Sequence, residues 1–126
     1  MDAIRVGIIG AGGIAQVAHL PSFAKIEGVK IGAITDPNTV KMKAIAEKFG
    51  VPRTFARWED LVADGDLDAV VICSPNAFHA AQAVAAMKAG KHVLCEKPVA
   101  VGAAEAAKVL HTAKETGKVF MGAFCQ

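Results

Sequence analysis

The feature that most constrains this chain is an uncharged stretch too interrupted to be one continuous element. From Val6 to Ala24 there is no Asp, Glu, Lys or Arg for 19 residues, yet Gly7, Gly10, Gly12, Gly13 and Pro21 break the run. A bilayer span needs about 20 apolar residues in unbroken helix. Glycines and a proline at this density instead specify a buried strand, a tight turn and a helix that Pro21 kinks or restarts. A second uncharged stretch, Ala69 to Met87, is also 19 residues long and is broken by Ser74-Pro75-Asn76. It has the same reading.

The pattern continues along the chain. Apolar, β-branched runs predict strands at Ile4 to Ile9, Val29 to Thr35, Arg53 to Phe55, Ala69 to Cys73, Lys91 to Cys95 and Val119 to Phe124. Helical periodicity or helix-forming composition predicts helices from Gly13 to about His19, Thr39 to Phe49, Trp58 to Ala63, Ala77 to Ala89 and Ala103 to Thr116. Met42, Ile45, Ala46 and Phe49 form one apolar stripe, and Ala106, Val109, Leu110 and Ala113 another; Trp58, Leu61 and Val62 are expected to face inward. Gly50, Gly90 and Gly117 stand where helices stop. Hydrophobic residues are 53% of the chain and charged residues 21%, so strands buried on both faces are expected. Parallel strands need right-handed crossovers. The expected fold class is therefore α/β, an open doubly wound parallel sheet in the order 3-2-1-4-5-6. At 126 residues the chain is the size of a single domain.

Charge and cysteine content narrow the function classes. A net charge of +2 without runs of one sign supports neither a nucleic-acid partner nor a membrane surface. The N-terminus makes a poor signal peptide. Three cysteines, an odd number, make no disulfide framework, and the expected compartment is the reducing cytoplasm. Cys73, Cys95 and Cys125 fall near the ends of neighbouring strands, but a zinc site would need a fourth ligand, so they read as buried strand cysteines and no metal is expected. His92 and His111 carry no indicated role.

Four groups of residues carry chemistry. Gly10-Ala11-Gly12-Gly13-Ile14-Ala15 is a G-x-G-x-x-A turn between a strand and a helix. Gly10 permits the turn, Gly12 admits a pyrophosphate against the backbone, and the helix N-terminus offers N–H groups to the phosphates. Asp36 ends the second strand, 26 positions after Gly10, where a carboxylate accepts hydrogen bonds from an adenosine ribose and repels a 2′-phosphate. NAD is therefore expected over NADP. The plainer alternative makes Asp36 a cap for the helix that follows Pro37. Ser74-Pro75-Asn76, with His79, follows the fourth strand, beside the point where strand order reverses and ligands bind. A turn with an exposed His is the alternative. Glu96-Lys97-Pro98 follows the fifth strand, where a Lys can polarise a hydroxyl or carbonyl, or simply sit in solvent beside its Glu.

Taken in this order, these motifs resemble the N-terminal half of the glucose–fructose oxidoreductase/inositol dehydrogenase/rhizopine catabolism (Gfo/Idh/MocA) family, with Ala69 to Pro98 the most specific part. The resemblance implies a Rossmann domain spanning residues 1–126 that binds NAD(P), in an enzyme that transfers hydride on sugars, polyols or related small molecules. It implies that Gly10, Ala11, Gly12, Gly13 and Ile14 hold the pyrophosphate and Asp36 the ribose. Ser74, Pro75, Asn76 and His79 would lie along the cofactor toward its nicotinamide. Lys97 would be the catalytic lysine beside the reacting hydroxyl, with Glu96 and Pro98 setting its pose.

Members of that family carry a second α/β domain that binds substrate, supplies a catalytic His and usually forms a dimer. The expectation is thus a cofactor-binding fragment, inactive alone, of a homo-oligomeric cytoplasmic oxidoreductase. A stand-alone short protein is the alternative, and a non-catalytic module that senses NAD(H) is the rival function.

Overall fold

Six apolar runs pair into one sheet in a computed structural model that describes residues 3–13, 15, 19–97 and 102–123. The strands are β1 (Ile4–Ile9), β2 (Val29–Thr35), β3 (Arg53–Phe55), β4 (Ala69–Ile72), β5 (His92–Glu96) and β6 (Phe120–Ala123). Their order is β3-β2-β1-β4-β5-β6 and all pairings are parallel, the doubly wound Rossmann arrangement. The helices are α1 (Leu20–Lys25), α2 (Thr39–Phe49), α3 (Trp58–Val62), α4 (His79–Lys88) and α5 (Ala103–Thr116). Among the described residues no helix is long and apolar enough to cross a membrane. Both uncharged stretches contain strand, turn and helix instead.

The helices divide between the two faces of the sheet. Leu61 and Val62 of α3, Ala80 and Ala83 of α4 and Val109 of α5 pack with Ile9, Val70, Ile72, Val93 and Cys95. Leu20 of α1 and Met42, Ile45 and Ala46 of α2 pack on the other face with Val6, Ile8, Ile34 and Val71. Successive strand residues alternate between these clusters, as the two-residue period of a strand requires. Sealing a side chain such as Leu20 or Ile8 from water contributes about 1.5–3 kcal/mol each, and both are fully buried. Pro21 stands in the first turn of α1, where a missing N–H costs nothing, so it opens a helix rather than breaking one. The described helix is Leu20–Lys25, and the helix expected from Gly13 to about His19 falls largely outside the described residues.

Several boundaries move by one or two residues. Strand β4 ends at Ile72, although the Cys73 N–H still donates to the Ile9 carbonyl at 2.7 Å. Residues Asn76–Phe78 form a 3-10 turn ahead of α4, so the helix begins at His79 and not at Ala77. Strand β5 runs to Glu96, one residue beyond the expected Cys95. In α5 the expected stripe is corrected: Leu110 is exposed, and the buried side chains are Val109 and Thr112. Hydroxyl burial is tolerable because Thr112 Oγ1 donates to the Lys108 carbonyl at 2.8 Å. Trp58 is half-buried, packed against the first cluster.

Candidate cofactor site

Strand β1 pairs with β2 on one side and β4 on the other, so the connections leaving the carboxyl ends of β1 and β4 diverge to opposite faces. Gly10 begins the first of these turns, with φ +100° and its N–H donating to the Thr35 carbonyl at 2.8 Å. A Cβ on Gly10 would stand 2.8 Å from the Cys73 carbonyl carbon and 2.9 Å from the Ser74 nitrogen. The two turns touch through backbone there, and only glycine fits. At Gly12 the opposite holds: a Cβ would meet nothing within 4 Å. Beside the first helical residues after the turn there is thus open space of the kind a pyrophosphate needs. These observations fit a dinucleotide.

Asp36 is 8% exposed and ties the glycine turn to the entry of α2. Its Oδ2 accepts the Ala11 N–H at 2.8 Å and its Oδ1 accepts the Asn38 N–H at 2.9 Å. Lys41 Nζ stands 3.7 Å from Oδ2. The helix cap is Asn38, whose side chain accepts the Lys41 N–H at 3.0 Å, so capping α2 is not what Asp36 does. Asp36, Gly10 and Pro37 line one side of a pocket of about 260 Å³, and Ser74, Pro75 and Gln82 line another. Arg57, in the turn after β3, and Trp58, the first residue of α3, also line it.

The Ser74 turn is held from beneath. His79 is 1% exposed, and its Nε2 lies 2.5 Å from the Ser74 carbonyl oxygen. The exposed-His alternative is therefore corrected: this ring is inside the protein, supporting the turn and absent from the pocket wall. Ser74 Oγ donates to Gln82 Oε1, and Gln82 is itself buried. Asn76 lies in the 3-10 turn, but its side chain is outside the described residues, as are Ile14, Pro98 and Cys125.

At the end of β5, Glu96 Oε1 stands 2.5 Å from Nε2 of His19. Lys97 follows on an exposed bend. Burial first, and the Glu96 carboxylate second, push the Cys73 and Cys95 thiols from 9.0 up to about 12, with Cys95 adding to the effect on Cys73. Cys95 belongs to one core cluster and Cys73 packs against the other, so the two thiols lie on opposite faces of the sheet.

The sequence reading missed Gln82, His19 and the pocket-lining role of Arg57. Gln82 had a usable signal, since three residues on a helix bring it beside His79. His19 had none, because its partner, Glu96, comes from a distant strand.

The family model for the oxidoreductase family with an NAD-binding Rossmann fold matches residues 4–124. The chain belongs to this family. Its sequence is 34% identical over 116 residues to D-glucoside 3-dehydrogenase of Escherichia coli, covering 92% of this chain and 33% of that protein. It is 30% identical over 121 residues to myo-inositol 2-dehydrogenase of Thermotoga maritima, covering 96% of this chain and 36% of that one. The crystal structure of a 3-ketoreductase from Actinomadura kijaniata, in complex with NADP and TDP-benzene, superposes with a TM-score of 0.90 at 32% identity, over 96% of this chain and 37% of that chain. The chain thus spans about a third of the length of these relatives. It is an NAD(P)-binding Rossmann domain of the oxidoreductase family.

Proposed function

We propose that this chain holds the nicotinamide cofactor of an oxidoreductase that moves hydride to or from a sugar, polyol or related small molecule, and that it takes NAD in preference to NADP. Family membership supports the reaction class. The 3-ketoreductase carries NADP, so the preference rests on Asp36 alone.

The observation that carries it is the placement of that carboxylate. Each oxygen already takes one backbone N–H, yet the residue still lines the pocket. Each retains acceptor capacity for ribose hydroxyls. A 2′-phosphate in the same place would set a second anion against it. At an effective dielectric near 20, two unit charges 4 Å apart repel by about 4 kcal/mol. Lys41 offsets part of this, but its side chain is 39% exposed and 3.7 Å away.

The glycine turn and the helix after it receive the pyrophosphate. The Ser74 turn, supported by His79 and Gln82, borders the cofactor. Lys97, at the end of β5, reaches the reacting hydroxyl and carries its proton at Nζ. The nicotinamide supplies or accepts hydride when bound. Relatives about three times as long support placing the remaining substrate groups, and any contact between subunits of a homo-oligomer, in residues other than these. On that reading this chain alone binds cofactor and does not turn over polyols or sugars.

Isothermal titration with NADH and NADPH tests the cofactor reading. We expect NADH to bind at least tenfold more tightly. Asp36→Ala should weaken NADH about tenfold and close the gap. Equal or tighter binding of NADPH by the unaltered chain would remove Asp36 from its assigned role.

A further inference from the structure

We propose that His19 is a positioning residue for the Lys97 turn: through Glu96 it holds the carboxyl end of β5 against the helix that follows the glycine turn. The inference rests on the reading above that this end of the crevice receives the nicotinamide.

The pair joins residues 77 positions apart, with Nε2 and Oε1 2.5 Å from each other. Both side chains are nearly buried, 12% and 10% exposed. A carboxylate at that depth needs a hydrogen-bonding partner, because transfer from water without one is costly. His19 is well held to be that partner. Its backbone is helical, with φ −73° and ψ −48°, at the entry to α1. Its ring stacks on Phe23, with centroids 6.3 Å apart and planes 24° from parallel.

Glu96 is equally fixed, since it lies within β5 and pairs in register with Ala123 of β6. The contact therefore ties two rigid elements together just where each ends. Lys97 follows Glu96 directly and is exposed. Its position is set by where β5 stops and how the chain leaves it. A side chain that anchors Glu96 therefore sets the direction in which Lys97 departs. Without the anchor, the buried carboxylate would turn toward water and carry the bend with it.

Titration of this chain with NADH and with ADP-ribose, which lacks the nicotinamide, separates positioning from general stability. The unaltered chain should bind NADH more tightly than ADP-ribose. His19→Phe keeps a ring that can stack on Phe23 but removes the hydrogen bond. It should weaken NADH about tenfold and leave ADP-ribose within twofold. His19→Gln, which can still donate to Glu96, should recover most of the loss. The double substitution His19→Phe with Glu96→Leu leaves no buried carboxylate unpaired, so it serves if the single variant does not fold; it should show the same selective loss. Equal weakening of both ligands would make His19 an ordinary packing residue and overturn the proposal, as would undiminished NADH binding. If the unaltered chain itself binds the two ligands equally, the nicotinamide assignment of this end fails first and the proposal falls with it.

Discussion

At one end of the crevice the hydrogen bonds of the Asp36 carboxylate come from backbone, whereas at the other the Glu96 carboxylate is held by a side chain. Asp36 accepts the N–H groups of Ala11 and Asn38, and the glycine turn is bonded to the Thr35 carbonyl. Main-chain groups are present whatever residue stands there, so one carboxylate is enough to organise that end. Glu96 instead meets His19, a single side chain from another element. Removing one partner there leaves a buried charge behind. The first end thus draws its hydrogen bonds from groups that side-chain substitutions leave in place, the glycine positions excepted. The second depends on two particular residues and leaves Lys97, the proposed functional group, on an exposed bend. On the proposed function, the difference gives the constant part of the cofactor an end held by backbone and its reacting part an end that rests on one side-chain pair.

The sharpest division of labour is expected at Lys97. In the enzyme proposed above, Lys97→Ala should lower kcat by about 10²–10⁴-fold, the usual range for acid–base assistance, and weaken cofactor affinity far less, by about tenfold at most. Lys97→Arg should rescue little, since guanidinium does not release its proton at working pH. Steady-state kinetics at saturating cofactor checks both. A twofold change in kcat would make the lysine structural and erase the contrast between the two ends.

Next in size is a pair of glycine substitutions in one turn. Gly12→Val should cost dinucleotide affinity about 100-fold or more while changing stability by no more than about 1 kcal/mol, because its Cβ meets nothing in the protein. Gly10→Ala should do the reverse, destabilising by about 2–4 kcal/mol, since φ is +100° and the Cβ lies against the Cys73 and Ser74 backbone. Urea unfolding and calorimetric titration on the two variants separate the effects.

The smallest effect near neutral pH concerns the thiols beside Glu96. Their native values are pushed from 9.0 up to about 12, so the folded chain keeps protons that the unfolded chain loses. Stability from this source is complete below about pH 9 and declines as pH rises from there through 12. Urea midpoints should fall over that window, and less steeply in Cys95→Ala. Alkylation of native Cys73 and Cys95 should be slow at pH 8.5. Glu96→Gln removes the carboxylate contribution, the second cause after burial at both thiols, and should speed it.

Much of the fold was legible because it rests on local rules. Strand β2, strand β3, α2 and α5 lie where periodicity and glycine stops place them. Parallel strands joined by right-handed crossovers leave few topologies, and the observed order is the expected one. Leu110 shows the limit. Its helical spacing marked it as core, but α5 turns Val109 and Thr112 inward instead, and Leu110 remains 66% exposed. The ends of β4 and β5 shifted because a strand stops where its partner's hydrogen bonds stop, which no single run of residues reveals.

For the site, the amino-acid sequence alone determined which residue types stand at the carboxyl ends of β1, β2, β4 and β5, since turn chemistry and strand patterning are written over a few neighbouring positions. Only the tertiary structure decided what those residues touch. It turned His79 inward to the Ser74 carbonyl, gave Ser74 to Gln82, left the capping of α2 to Asn38 and matched Glu96 with His19. The physical reason is range: a helix or a turn is settled within about four residues, whereas a buried polar group must find its partner wherever the packing brings one, here 77 positions away.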